Sequence, residues 1–239
     1  MRRLVLAALV TAVLALSTGC SSWPFDPNPR PDDGVGVDQQ DDDREEPVTV
    51  DRGSADDASL SLTGDASSIT LGTDAAAGDL LEVSATAPDS RPGAEQSDGT
   101  HVVALDGGAA IVRLAEDVAW DVDLAAGADT VDADLSATRV TGIVLDGGAR
   151  SIELTLPRPD GDVPLEQRAG ADQLVIHLPD GVGARVTVTS GAGGAQIDGE
   201  STQGIGSGTV LTTDGFDESD DHYEITVAGG LGNLTIDRV

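Results

Sequence analysis

The chain has no lysine, and only one cysteine, one methionine and five aromatic residues in 239. Each scarcity excludes something. A lone cysteine, Cys20, has no partner for an intramolecular disulfide, so packing and hydrogen bonds must hold the fold. The 13 basic residues are all arginines, set against 43 acids, for a formal charge of −30. A field of that sign repels phosphates and anionic headgroups, which argues against nucleic acid as a partner. Its simplest use is solubility and spacing from an anionic membrane. The longest apolar stretch, Leu4 to Leu16, has 13 residues, whereas crossing a bilayer core takes about 20. After residue 50 the aromatics are Trp120, Phe216 and Tyr223, so the interior must be built of Val, Leu, Ile and Ala. A sandwich about 10 Å thick usually draws on larger side chains; a thin coil suits small aliphatics.

What is present begins with a leader. Arg2 and Arg3 precede the apolar stretch, and the small residues Ser17, Thr18 and Gly19 precede Cys20. That order is a secretion signal, read here as residues 1–19. Ser17-Thr18-Gly19-Cys20 resembles the lipobox of bacterial lipoproteins, whose cysteine receives a diacylglyceryl group before cleavage. It departs from that pattern at Ser17, where leucine is usual; Leu16 stands one place earlier. The resemblance implies lipidation at Cys20 and an anchor at the extracytoplasmic face of the cell membrane. An ordinary signal peptide with an incidental cysteine is the alternative. Residues 1–19 carry two of the 13 arginines and no acid, so the mature chain has a formal charge of −32.

Residues 20–50 read as a disordered tether. Pro24, Pro27, Pro29, Pro31 and Pro47 and the acids at 41–43 and 45–46 leave little to bury. Trp23 and Phe25 suit a membrane interface better than a site.

From residue 51 to 239 the texture is all-β. Leu60-Ser-Leu62, Ile69-Thr-Leu71, Val118 to Leu124, Val131 to Leu135, Ile152 to Leu156, Val186-Thr-Val188, Ile225-Thr-Val227 and Leu234-Thr-Ile236 alternate apolar and polar residues. A unit also repeats. Gly127-Ala-Asp-Thr-Val131 returns as Gly148-Ala-Arg-Ser-Ile152 and Gly170-Ala-Asp-Gln-Leu174. Looser copies are Gly193-Gly-Ala-Gln-Ile197 and Gly230-Leu-Gly-Asn-Leu234, with an earlier echo at Asp65 to Ile69. Self-similarity near 20 residues predicts a single-stack β-solenoid, whose unit glycines are expected to supply positive φ at turns. A β-sandwich with shared turn chemistry is the alternative. Pro88 to Gly99 and Ser201 to Asp221 break the rhythm and read as loops. Because Leu234 to Ile236 lies so near Val239, the last strands, 225–237, are expected to form an end of the stack, either open to a partner or capped by the Ser201–Asp221 loop folding over it.

The stretch Trp120 to Pro157, with its W-D-V-D-L opening, G-A-x-x-V turn, D-L-S step and D-G-G-A before I-E-L-T-L-P, resembles a known group. It is similar to the toastrack β-solenoid domains of bacterial envelope proteins. These include the C-terminal domains of LiaF-type stress regulators and the related "putative adhesin" domains of unknown function. The likeness is good over about 118–200. It implies a stacked β-coil used for sensing, scaffolding or adhesion, with envelope proteins or glycans as partners. It brings no catalytic residues. The transmembrane helices that precede the domain in LiaF-like proteins have no counterpart here, which sets the chain apart from that signalling complex.

Reactive chemistry is sparse. There is no nucleophile-elbow motif. His177 lies between Ile176 and Leu178 and is expected to point outward; His101 starts a strand, and His222 follows an acidic loop. Asp121, Asp123, Asp132 and Asp134 alternate with apolar residues and are expected on a solvated outer face. A polysaccharide-active enzyme with dispersed carboxylates is the alternative reading, but a sugar cleft would want aromatic lining and only Trp120 is near. Asp214 to His222 is the best local candidate for calcium, although it lacks EF-hand spacing and no ligands are assigned. The expectation is a non-catalytic envelope module without catalytic, cofactor or metal residues.

Overall fold

A computed structural model describes residues 47–86, 90–217 and 220–239. The expected leader, Cys20 and residues 20–46 of the expected tether lie outside the described residues. Seventeen strands make up the regular structure of the rest, joined in one mostly parallel sheet. They are β1 (Val48–Asp51), β2 (Asp57–Gly72), β3 (Asp79–Ala85), β4 (Gly93–Ser97), β5 (Thr100–Leu114), β6 (Ala119–Leu124), β7 (Gly127–Asp134), β8 (Arg139–Leu145) and β9 (Ala149–Thr155). There follow β10 (Val163–Gln167), β11 (Ala171–Leu178), β12 (Gly183–Val188), β13 (Ala192–Ile197), β14 (Glu200–Ile205), β15 (Thr209–Thr212), β16 (His222–Val227) and β17 (Leu231–Arg238). The first strand begins at Val48, three residues before the expected start of the domain.

The strands form two ladders. One runs β5–β2–β6–β8–β10–β16–β12 and the other β5–β2–β7–β9–β11–β17–β13, all pairs parallel. The long strands β2 and β5 pass through both. Each consecutive pair, such as β6 and β7, is therefore one rung, and a rung pairs with rungs rather than with itself. Hairpins of a sandwich do not describe these central strands.

Alternation decides what faces inward. Register stacks Val122, Ile143, Leu165, Ile225 and Val186 in one column and Val131, Ile152, Leu174, Leu234 and Ala195 in another. All are buried in one continuous core. A third column, Leu124, Leu145, Gln167, Val227 and Val188, contains a glutamine that is fully buried. Its side-chain amide donates to the Ala169 carbonyl, while its Oε1 has no partner. The larger side chains sit where a polar tip finds an acceptor. Trp120 Nε1 donates to the Ala115 carbonyl at 3.0 Å, and Tyr223 Oη donates to that of Pro157 at 2.9 Å.

Four sequence expectations change. The C-terminal strands are not an end: β16 and β17 insert between β10/β11 and β12/β13. The segments expected as loops supply the ends instead. The stretch 88–99 contains β4, and 201–221 contains most of β14 and all of β15; all three strands are antiparallel to their neighbours. The looser copy Gly193 to Ile197 is displaced by two residues, since Ala195, not Ile197, occupies the Val131 column. The repeat glycines 127, 148, 170 and 230 do not have positive φ. A constraint lies one place earlier. A methyl on Gly147 would fall inside the backbone of Ala126 in the rung below, and one on Gly229 inside that of Ala169.

Candidate functional site

The outer face matches the alternation. Asp121, Asp132 and Asp134 are exposed and Asp123 is half-buried, while Val122, Leu124, Val131 and Ala133 between them point inward. Two of them depart from simple solvation: Asp134 Oδ1 accepts from the Ser136 N–H at 3.0 Å and from its hydroxyl at 2.6 Å, while one Asp123 oxygen accepts from Ser61 Oγ at 3.1 Å and the other is buried without a partner. The four acids thus lie along two ladders rather than across a cleft.

His177 points outward, as its place between Ile176 and Leu178 requires. The parallel ladder brings Glu153 and Asp237 to its two sides: Nε2 lies 3.1 Å from Glu153 Oε1, and Nδ1 bonds Asp237. Burial opposes a charged ring here, but the two carboxylate hydrogen bonds outweigh it and raise the pKa above the ordinary histidine value. It is a bridge between three strands.

His222 is the more elaborate case. It is 1 % exposed at the start of β16. Its Nε2 lies 2.6 Å from Glu224 Oε1, and its Nδ1 lies 2.7 Å from the Asp220 carbonyl and 3.1 Å from Asp162 Oδ1. Both ring nitrogens therefore face acceptors, an arrangement that only the doubly protonated imidazolium satisfies. Burial works against that charge, yet the Asp220 and Glu224 bonds and the Asp162 charge raise the pKa. Arg185 adds two contacts to Glu224, at 3.0 and 2.6 Å, and these with the histidine hold the Glu224 carboxyl below its ordinary range against the cost of burial. Phe216 closes the cluster, edge-on to His222 at 5.0 Å and under the Arg185 guanidinium at 5.9 Å. Sequence reasoning placed His222 beside an acidic loop but missed Arg185, Glu224 and Phe216. Two of these were recoverable, since Phe216 is a rare aromatic in a polar segment and Arg185 a rare base.

At the end of the stack, Asp198 ties three segments together. It holds Arg238 through two bonds, at 2.8 and 3.0 Å, and accepts from the Asp214 N–H at 2.7 Å. Beside it a cleft of about 80 Å³ is lined by Ala195, Ile197, Glu200, Thr202, Leu211, Thr212 and Asp214. The lining has two acids and no aromatic or histidine, which suits neither a glycosidic nor a nucleophilic mechanism. Among the described residues no group of three or more His, Cys, Asp or Glu side chains is arranged to hold a metal ion. Cys20 lies outside the described residues.

No protein-family model and no curated protein matches the sequence. Among solved structures, the fold is similar to a "putative cell adhesion protein" from Clostridium sporogenes ATCC 15579, with a TM-score of 0.61 and 14% identity. The match covers 81% of this chain and 98% of that one. At that identity the likeness concerns the fold alone.

Proposed function

We propose that the chain is a lipid-anchored, non-catalytic envelope protein in which a β-solenoid of the toastrack type binds, scaffolds or senses envelope components. Cys20 is the residue assigned to the anchor, and the extracytoplasmic face of the cell membrane is the assigned location. The observation that carries the binding role is the filled stack. Its interior columns are filled mostly by Val, Leu, Ile and Ala, and Asp121, Asp123, Asp132 and Asp134 are spread along its outer face instead of converging on the end cleft. An enzyme needs convergent groups around a reacting atom, whereas a binding surface needs only a rigid, soluble array. The fold likeness to a protein described in terms of cell adhesion supports the same reading.

Incubating the full chain with native envelope fractions tests it. The expected outcome is saturable binding with no release of reducing ends from envelope polysaccharide. Failure to bind any fraction would overturn the binding role. Release abolished by Asp121→Asn or Asp132→Asn would replace it with a polysaccharide-active enzyme.

A further inference from the structure

The stack has two ends, and the described chain enters at one of them. Residue 47 leads into β1, which pairs with β3, which in turn pairs with β5; β4 covers the other half of β5. The opposite end is made by β14 on β13 and β15 on β12. Eight strand spacings along the longer run of the first ladder, from β4 to β15, separate these ends by roughly 40 Å.

Among the described residues, four strands pair on one side only: β1, β4, β14 and β15. Natural sheets protect such edges with charge, proline or a bulge. Asp51, Glu95 and Glu200 place a charge on β1, β4 and β14. The sequence of β15, Thr209-Val-Leu-Thr212, has no charge and no proline, and its pairing with β12 shows no register shift. Around it, residues 201–213 contain no charged residue in a chain that is 23% charged. Val210 is 55% exposed, a level that among the described large hydrophobics only Val239 exceeds. Leu211, half-buried, lines the end cleft with Ala195 and Ile197.

We infer that β15 is a self-association edge, to which a second copy of this chain adds its own β15 in antiparallel register. The occupant follows from charge. Two chains that each carry −30 repel wherever acids meet acids, and this edge lets them approach without opposed carboxylates. A basic partner would be drawn to the acidic outer face instead. Geometry permits the pairing. Thr213 N–H donates inward to the Ala184 carbonyl at 3.0 Å, so by strand alternation the N–H and C=O of Thr212 and Val210 point away from β12. A two-fold axis at Leu211 sets Val210 against Thr212 of the other copy on the outer side. It also sets Leu211 against its counterpart on the inner side. Each facing pair is aliphatic or hydroxyl, and the contact is isologous. A contact this small gives a weak, concentration-dependent dimer.

Sedimentation velocity of the full chain in mild detergent, under reducing conditions so that Cys20 cannot link copies, tests the inference. Wild type is expected to shift from monomer to dimer with concentration. Val210→Pro removes one outward N–H, and Val210→Lys puts a charge on an exposed edge. Both are expected to remain monomeric at concentrations where wild type is dimeric, with thermal unfolding of Val210→Lys close to wild type. A wild type that stays monomeric throughout, or a dimer that survives both substitutions, overturns the inference. Neither result depends on whether Cys20 is acylated.

Discussion

His222 shows how one side chain can set the pH response of a fold. With acceptors at both ring nitrogens, its folded pKa is raised, and the stabilisation it gives is complete below the unfolded value of about 6.5. As pH rises through the folded value the proton leaves, one nitrogen is left facing an acceptor, and that stabilisation is lost. Glu224, whose pKa is lowered, and Arg185 stay charged across this window, so they keep the site anionic-side and cationic-side partners in place. The expectation is that the stability difference between wild type and His222→Phe shrinks from pH 6 to pH 9 in urea titrations. His177 contributes a slope of the same sign in both proteins and cancels in that difference. A difference independent of pH would mean that folding does not shift the His222 pKa.

At the scale of the elements, the stacking distance between rungs sets the sequence rules. The pair Gly147-Gly148 separates two roles that look identical in sequence. Gly147 passes so close to the Ala126 carbonyl that a methyl cannot fit, while a methyl at Gly148 would meet the Gly170 carbonyl oxygen at an ordinary 3.6 Å. Gly147→Ala should cost about 1–3 kcal/mol through forced backbone movement, and Gly148→Ala about 0.5 kcal/mol or less. Urea unfolding of the two variants decides this; equal costs would contradict the close approach. The repeat that marks these corners was legible from periodicity, because Ala128, Ala149 and Ala171 all recur one residue after a stacked glycine. The all-β class and the inward columns were legible for the same reason, as was the outward aim of His177. Other features were not. The copy at Asp106 to Ala110 escaped notice, although Ala66 pairs with Gly107 and Ile69 with Ala110, because small residues erase the apolar signal. The edge strands β4, β14 and β15 escaped notice because each is short and set among Gly, Ser and Thr, so they read as loops. In the His222 cluster, local spacing carries the His222–Glu224 pair, two apart on β16, but not the partners Asp162 and Arg185, which are distant in sequence.

At the scale of the whole molecule, chain order and stacking order differ. The last two strands, β16 and β17, sit inside the stack, and β2 likewise sits inside β5. An outermost rung can peel away while the remainder of a stack stays folded, because each unit contacts only its neighbours. An inserted rung cannot. Deleting 222–239 would strip partners from β10, β11, β12 and β13 at once and expose Leu165, Leu174, Val186 and Ala195. The expected result is loss of a cooperative unfolding transition, with hydrogen-exchange protection lost well beyond the deleted strands. Protection unchanged in residues 119–178 would argue that the C-terminal pair adds only to an end. Insertion also places the β14/β15 rung, rather than the C-terminus, at the end away from the entry of the chain.

The proposal that this stack is displayed from a membrane rests on Cys20, and one measurement reaches it directly. Cells expressing the chain are grown with radioactive palmitate, and the protein is recovered from membrane and soluble fractions. Wild type should carry label and remain with the membrane, whereas Cys20→Ser should carry none and lose membrane retention or accumulate as unprocessed precursor. Wild-type protein that takes up no label would contradict the lipid anchor.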